Sequence, residues 1–232
     1  MKKSHGDLAV VTGASRGIGR ATALAFAARG VRVALLGRSS PMLDDATEAA
    51  QAAGVEARSF VCDVSREDDV ARAAEDVLAA MGAPRVVVNN AGIVRRGRPV
   101  EATSPVDWDE VIGVNLRGPF LVSRAFLPAM LAARRGRLIH VASISATIGS
   151  PGAASYAASK WGLVGLAKSL AEELRDKGLQ SIAVLPGSVD TEMLIGSGFD
   201  PRMSATDVAG FIAYAALDAP DALNGAALEM FG

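Results

Sequence analysis

Short runs of β-branched and aliphatic residues alternate with longer stretches of helical period along nearly the whole chain, and this alternation leaves few folds open. The short runs cover residues 8–12, 31–36, 55–61, 85–89, 137–142 and 181–185. Between them lie 18–29, 42–53, 67–81, 106–134 and 156–176, with apolar residues three and four positions apart. Strands that are apolar at every position, not at alternate ones, need cover on both faces, and single-helix connections impose right-handed crossovers. A helix over 206–217 and a strand over 226–230 complete the pattern. Ser65 ahead of Glu67, Asp68 and Asp69 marks a helix start, and Gly82, Gly136 and Gly178 follow helical stretches as stops. The expectation is one doubly wound α/β domain over residues 1–232, with a mainly parallel seven-stranded sheet and helices on both faces.

Composition enters as a set of exclusions. Half of the 232 residues are hydrophobic and 21% are charged, which is the balance of a folded chain, not a disordered one. A net charge of −1 supplies no field for nucleic acid or an anionic membrane surface. The one cysteine, Cys62, has no internal disulfide partner. No apolar run approaches the roughly 18–20 residues of a membrane span, and the run at Leu8–Val11 is too short for a signal-peptide core. The default expectation is a soluble cytoplasmic protein. His5 and His140 lack ligand-spaced partners, so no metal site is expected, and His140 reads as a core residue.

In sheets of this kind ligands bind beyond the carboxyl ends of the strands. The first strand runs out into Thr12-Gly13-Ala14-Ser15-Arg16-Gly17-Ile18-Gly19 and then a helix. Glycines there let the backbone approach a pyrophosphate, whose charge the helix start would meet. The second strand ends in Gly37 and Arg38, where an NAD-preferring fold would place an acid for the ribose hydroxyls. Arg16 and Arg38 together suit a 2′-phosphate, so NADP(H) is expected over NAD(H). Asp63 and Asn89-Asn90-Ala91-Gly92 follow the third and fourth strands, and Ala91 and Gly92 leave room for a flat ligand.

Ser143 ends the fifth strand, and Tyr156 and Lys160 fall on one face of the next helix. A free tyrosine titrates near pH 10, too high for proton transfer at neutrality, and a neighbouring ammonium is expected to lower it. Ser143 would then hold a carbonyl oxygen while Tyr156 protonates it.

Taken in order, these motifs resemble the short-chain dehydrogenase/reductase family over about residues 7–191. Thr12–Gly19 matches its T-G-x-x-x-G-x-G, Asn89–Gly92 its N-N-A-G, and Ser143 with Tyr156-Ala157-Ala158-Ser159-Lys160 its serine and Y-x-x-x-K. Asn115 matches its helix asparagine, and Pro186-Gly187-Ser188-Val189-Asp190-Thr191 its P-G segment. The resemblance implies a Rossmann-type fold and a catalytic set of Asn115, Ser143, Tyr156 and Lys160. Tyr156 would be the proton donor or acceptor, Lys160 would tune it and bond the nicotinamide ribose, and Asn115 would hold a water in a proton relay. It implies a cofactor site of Gly13, Ser15, Arg16, Gly17, Ile18, Gly19, Arg38, Asp63, Val64, Asn90, Ala91, Gly92, Pro186, Gly187, Val189 and Thr191, with Tyr156 and Lys160. Asp63 and Val64 would meet adenine, Asn90 and Gly92 the ribose and phosphates, and Val189 and Thr191 the nicotinamide amide. Among family members the Arg16/Arg38 pattern is most similar to NADP-dependent 3-oxoacyl-carrier-protein reductases. The implied reaction is NADPH-dependent hydride transfer to a ketone carbonyl, with a 3-oxoacyl thioester as one substrate. The alternatives are an NADP-dependent alcohol or polyol dehydrogenase and a catalytically silent NADP-binding regulatory protein. A homodimer or homotetramer is implied, with acyl carrier protein as a conceivable partner.

Beyond Thr191 the chain departs from those reductases. A short substrate lid is expected over about 188–205, and the ending Asn224–Gly232 lacks the family's Asp-Gly-Gly. Met193, Leu194, Ile195 and Phe199 would either form an apolar entrance or pack into the core. Val94, Arg95, Ser145, Pro151 and Met193 are candidates for the substrate site. Arg95, Arg96 and Arg98 would attract an acidic carrier or a carboxylate-bearing substrate, or form a solvated loop.

Overall fold

Six apolar runs in the first four-fifths of the chain become parallel strands: β1 (Leu8–Thr12), β2 (Arg32–Gly37), β3 (Ala57–Val61), β4 (Val86–Asn89), β5 (Gly136–Val141) and β6 (Leu179–Pro186). The structure, a computed structural model, describes residues 6–38 and 40–232, so His5 and Ser39 lie outside it. Two short strands, β7 (Val189–Asp190) and β8 (Met203–Ser204), pair with each other outside the main sheet. The last strand, β9 (Ala227–Met230), closes the main sheet in the order β3-β2-β1-β4-β5-β6-β9. Helices α1 (Gly17–Ala28), α2 (Ser40–Gln51), α3 (Glu67–Met81), α4 (Pro105–Ile112), α5 (Gly118–Ala133), α6 (Ala154–Leu174) and α7 (Ala205–Leu217) form the connections. The domain is thus single, Rossmann-like and doubly wound, as the alternation predicts.

Continuous apolarity along the strands has its cause in the apolar cover on each face of the sheet. Ala9, Val11, Val33, Leu35, Val86 and Val88 point to one face, under Phe26 of α1 and Val208 and Ile212 of α7. Leu8, Val10, Ala34, Leu36, Val87 and Leu138 point to the other, under Val77 of α3, Phe126 and Met130 of α5, and Leu174 of α6. Strand order reverses between β1 and β4, and their carboxyl ends flank the crevice where such folds bind ligands. Among the described residues no helix is long and apolar enough to cross a membrane.

Two local expectations are corrected. The helix predicted over 106–134 is interrupted by a π-helical turn, Gly113–Arg117, between α4 and α5. Gly118 donates its N–H to Gly113 O, five residues back, and Pro119 has no N–H to continue the α pattern. Ser65 does not cap α3: Arg66 holds the N-cap position, and the Ser65 hydroxyl donates to Asp63 Oδ1 at 2.7 Å.

His140 of β5 is fully buried, as expected of a core residue. Asn89 Nδ2 lies 3.3 Å from its Nδ1 and 3.1 Å from Ser123 Oγ, donating to both. Burial pushes the His140 pKa from 6.5 down to about 4. The unfolded chain therefore takes up a proton near pH 6.5 that the folded chain refuses until about pH 4. Stability from this residue is intact above pH 6.5 and falls as pH drops, by about 2 kcal/mol at pH 5. His140→Gln keeps an amide for Asn89 and should remove that part of the loss. Urea unfolding at pH 7 and pH 5 checks this; an identical pH dependence in wild type and variant would rule it out.

Candidate active site

At the carboxyl end of β1 the chain turns through Gly13 (φ 64°) and Gly17 (φ 52°), left-handed positions that suit glycine, into α1. A Cβ on Gly13 would sit 2.9 Å from Ala91 Cα, and one on Gly19 only 2.1 Å from Gly13 O, so neither tolerates a side chain. The N-cap residue Arg16 gives no side-chain cap to α1, and no acid occupies its first turn. The free N–H groups and positive end of this helix are thus left for an anion. Thr12 ties this turn to β4: its hydroxyl accepts from Asn90 N at 3.0 Å and Ala91 N at 3.1 Å, and donates to Val88 O at 3.2 Å. Asn90 Nδ2 returns bonds to Thr12 O at 2.9 Å and Gly13 O at 3.3 Å. Asn90, expected to touch cofactor, spends its amide donor holding the glycine turn in shape.

On the adenosine side, Arg38 is exposed and pairs with no acid among the described residues. Arg16 instead forms an ion pair with Glu192, so the two arginines expected to act together have different settings. Asp63 turns one oxygen to Ser65, accepting from its N at 3.0 Å and its hydroxyl at 2.7 Å. Val64 is buried against Gly118, where a Cβ would lie 2.9 Å from Val64 Cγ2.

Beyond β5, Ser143 Oγ accepts from Ser145 N at 3.1 Å and lies near enough to Tyr156, in the first turn of α6, to act on its hydroxyl. Lys160, one turn on, is only 4% exposed; its ammonium donates to Val141 O at 2.8 Å and lies 5.6 Å from the Tyr156 ring centre. Burial pulls the Lys160 pKa down to about 8. The Tyr156 pKa moves opposite to the sequence-based expectation. Burial raises it, while the Ser143 hydroxyl and the Arg96 charge pull it back. Lys160 sits under the ring, anchored to a carbonyl, and not beside the hydroxyl it was expected to acidify.

Asn115 is completely buried in the π-helical turn and uses both ends of its amide. It accepts from Ile93 N at 2.8 Å and donates to Ile93 O at 2.8 Å and Ser159 Oγ at 3.1 Å. Ser159 in turn donates to Tyr156 O at 2.7 Å, linking Asn115 to the tyrosine's own helix turn. In the sequence Ser159 stands only as a spacer of the Y-x-x-x-K motif, yet its place between Tyr156 and Lys160 is a usable signal. A Cβ on Gly92 would stand 3.4 Å from Asn115 Oδ1 and 3.7 Å from Lys160 Nζ, so its absence keeps the ammonium approachable.

The P-G segment closes over this floor. Gly187 N donates to Met230 O of β9 at 2.8 Å, Val189 is buried in β7, and the Thr191 methyl lies against Gly17. Ile195 and Phe199 are 78% and 74% exposed and Met193 is exposed too, so these residues do not pack the core. The basic cluster divides: Arg95 pairs with Glu110 at 2.7 Å, Arg98 with Asp107 at 3.3 Å, and Arg96 donates to Met193 O at 2.8 Å. Glu192, the partner of Arg16, was not singled out from the sequence; no local pattern marks it. Among the described residues no group of three or more histidine, cysteine or acidic side chains could hold a metal ion. Burial pushes the Cys62 thiol up to about 12, leaving it inert.

Comparison with known proteins supplies the context for this geometry. A family profile described as short chain dehydrogenase matches residues 7–199. The chain is 39% identical to the 3-oxoacyl-[acyl-carrier-protein] reductase FabG of Pseudomonas aeruginosa over 82% of this chain and 76% of that protein. It is also 39% identical to the short chain dehydrogenase pigC of Monascus ruber, over 82% of this chain and 65% of that longer protein. Among solved structures it resembles levodione reductase, with a TM-score of 0.93 and 28% identity over 98% of this chain and 97% of that one. It resembles NAD⁺-bound xylitol dehydrogenase with a TM-score of 0.91 and 28% identity over 99% of both chains.

Proposed function

We propose, from the premise that the chain belongs to the short chain dehydrogenase family, that it reduces a ketone with NADPH. As a member it is an oxidoreductase acting on C=O and CH–OH groups with a nicotinamide cofactor. The observation that carries the reading is the joint burial of Lys160 and Asn115 around Tyr156 and Ser143, below the glycine turn. The uncapped α1 start, the left-handed glycines and the side-chain-free Gly92 fit a dinucleotide laid from α1 towards Lys160.

A bound nicotinamide would supply the hydride that the substrate carbon takes up. The protein's part is proton and charge management. Tyr156, its pKa raised by burial, keeps its proton through neutral pH and delivers it to the carbonyl oxygen as negative charge develops there. Ser143 accepts from Ser145 N, so its own proton is available for the same oxygen. The Lys160 ammonium, held by Val141 O, balances the phenolate that results and offers its remaining donors to the nicotinamide ribose. Asn115 holds the relay in place through Ile93 and Ser159. Its backbone carbonyl finds no N–H four residues on, because that residue is Pro119, and it receives the relay water instead.

Arg38, without an acid partner among the described residues, reads the 2′-phosphate of NADP(H), and Arg16 joins it by exchanging Glu192 for phosphate. The remaining cofactor contacts run from Ser15, Gly17 and Ile18 through Asp63, Val64, Ala91 and Gly92 to Pro186, Gly187, Val189 and Thr191. Segment 188–205 acts as the substrate lid. A 3-oxoacyl thioester is the first substrate to test, given the name of the Pseudomonas relative. The likeness to a xylitol dehydrogenase favours a second reading, oxidation of an alcohol or polyol by the same residues run backwards. Exposed Trp108, Phe120 and Trp161 on α4, α5 and α6 suit a homodimer or homotetramer interface. Light scattering should give a multiple of the 23.8 kDa chain mass; a monomer throughout would count against it.

Loss of NADPH absorbance with an acetoacetyl thioester, set against NADP⁺ reduction with secondary alcohols and polyols, tests the reading and its direction. Tyr156→Phe should cut turnover by roughly 10³-fold while cofactor binding persists. Wild-type kcat/KM for reduction should hold steady below about pH 8 and fall roughly tenfold per unit above it, as Lys160 loses its proton. Full activity in the phenylalanine variant would remove Tyr156 from the proton step, and no turnover of any carbonyl or alcohol by wild type would favour the silent NADP-binding protein. Arg38→Asp should raise the KM for NADPH by about tenfold and lower that for NADH, as expected of one charged contact near the surface. Unchanged constants for both would remove Arg38 from the site.

A further inference from the structure

We propose that Arg96 is a substrate-specificity residue that receives a carboxylate, so that the preferred substrate is a small oxo acid. The inference rests on the carbonyl-reductase reading and narrows its substrate. Three arginines, Arg95, Arg96 and Arg98, face a cavity of about 170 Å³ that Asp107 also lines and whose other wall includes Gly152–Ser155, the residues leading directly into Tyr156. Their charges are not equivalent. Arg95 is neutralised by Glu110 at 2.7 Å, with Asp107 at 3.9 Å, and Arg98 by Asp107 at 3.3 Å. Arg96 has no carboxylate partner among the described residues and spends one donor on Met193 O at 2.8 Å. A guanidinium carries five N–H donors in a planar fork, so most of its capacity remains.

Its position decides what that capacity is for. Arg96 is near enough to Tyr156 for its charge to act on the tyrosine hydroxyl, and it touches the lid backbone at Met193. A substrate whose carbonyl oxygen meets Tyr156 would extend towards the cavity that Ser155, the residue before the tyrosine, shares with Arg96. The planar pair of oxygens in a carboxylate matches the fork, and the cavity has room for a small polar group, not a long acyl chain. Anchoring through Met193 O holds the guanidinium in place, so less rotamer freedom is lost when the anion arrives. Binding of the acid would then bear on the same arginine that fastens the lid.

The test compares ketones that differ only in charge. Acetoacetate and methyl acetoacetate, and the pair one methylene longer, are assayed with NADPH on wild type, Arg96→Gln and Arg96→Lys. In wild type, kcat/KM for at least one acid should exceed that of its ester by about tenfold or more. In Arg96→Gln the acid-to-ester ratio should collapse by about 100-fold, mainly through KM for the acid, with partial recovery in Arg96→Lys. A ratio unmoved by the substitutions, or a wild-type preference for the esters, overturns the assignment while leaving the reductase reading intact. Failure to reduce any ketone, thioesters included, overturns that reading and this inference together. Thermal melts of the variants separate loss of fold from loss of selectivity.

Discussion

An ammonium group almost sealed from water lies at the centre of this protein's chemistry, and much of the surrounding structure exists to hold it there. Lys160 retains one strong protein partner, the Val141 carbonyl at the end of β5, at 2.8 Å. Its pKa of about 8 records what desolvation costs: the charge is kept at neutral pH, but by a narrow margin. That margin constrains the neighbours. Gly92 has no side chain to cover the nitrogen, Asn115 closes the back of the site, and Tyr156 lies over the ammonium in cation–π range. A larger residue at 92 would approach both Asn115 and Lys160 and close the side from which a ligand reaches them.

The cofactor half of the site depends on a second device, the stitching of β1 to β4. These strands flank the point where the sheet reverses its winding, so the crevice between their ends has no helix above it. Thr12 and Asn90 exchange two hydrogen bonds across that crevice, and bonds from Ala91 N to Thr12 Oγ1, from Asn90 Nδ2 to Gly13 O and from Thr12 Oγ1 to Val88 O bring the set to five. The glycine turn is therefore rigid before a phosphate reaches it, which lowers the ordering cost of binding. The Arg16–Glu192 pair spans from this turn to the residue after Thr191, so cofactor and lid meet at one ion pair. Both partners are well exposed, and exchanging Glu192 for a phosphate costs little.

Much of this was legible from sequence because it rests on local signals. Strand β1 and helix α3 match their expected bounds, and the other main-sheet strands agree to within two residues at each end. A period of two or 3.6 is written in consecutive residues. The π-helical turn at Gly113–Arg117 was missed because apolar spacing runs through it unchanged. Its cause, Pro119 following Gly118, was in view but acts through a missing N–H and not through periodicity. The Tyr156 shift was expected with the wrong sign for a related reason. Spacing of four residues put Lys160 on the same face, yet could not show that the ammonium would turn under the ring to Val141.

The order of motifs from Thr12 to Thr191 was enough by itself to determine fold class and family. Each motif is a short stretch whose residues act on their immediate backbone, and the topology of a doubly wound sheet delivers strand ends to one edge without further instruction. Only the tertiary structure decided which charges are free. Arg95, Arg96 and Arg98 are indistinguishable in sequence, and the placing of Asp107 and Glu110 on α4 leaves Arg96, of the three, without an acid among the described residues. Likewise Arg16 and Arg38 look like a pair until Glu192, 176 residues beyond Arg16, claims one of them. Electrostatic partners are chosen by distance in space, and distance in sequence carries almost no record of that choice.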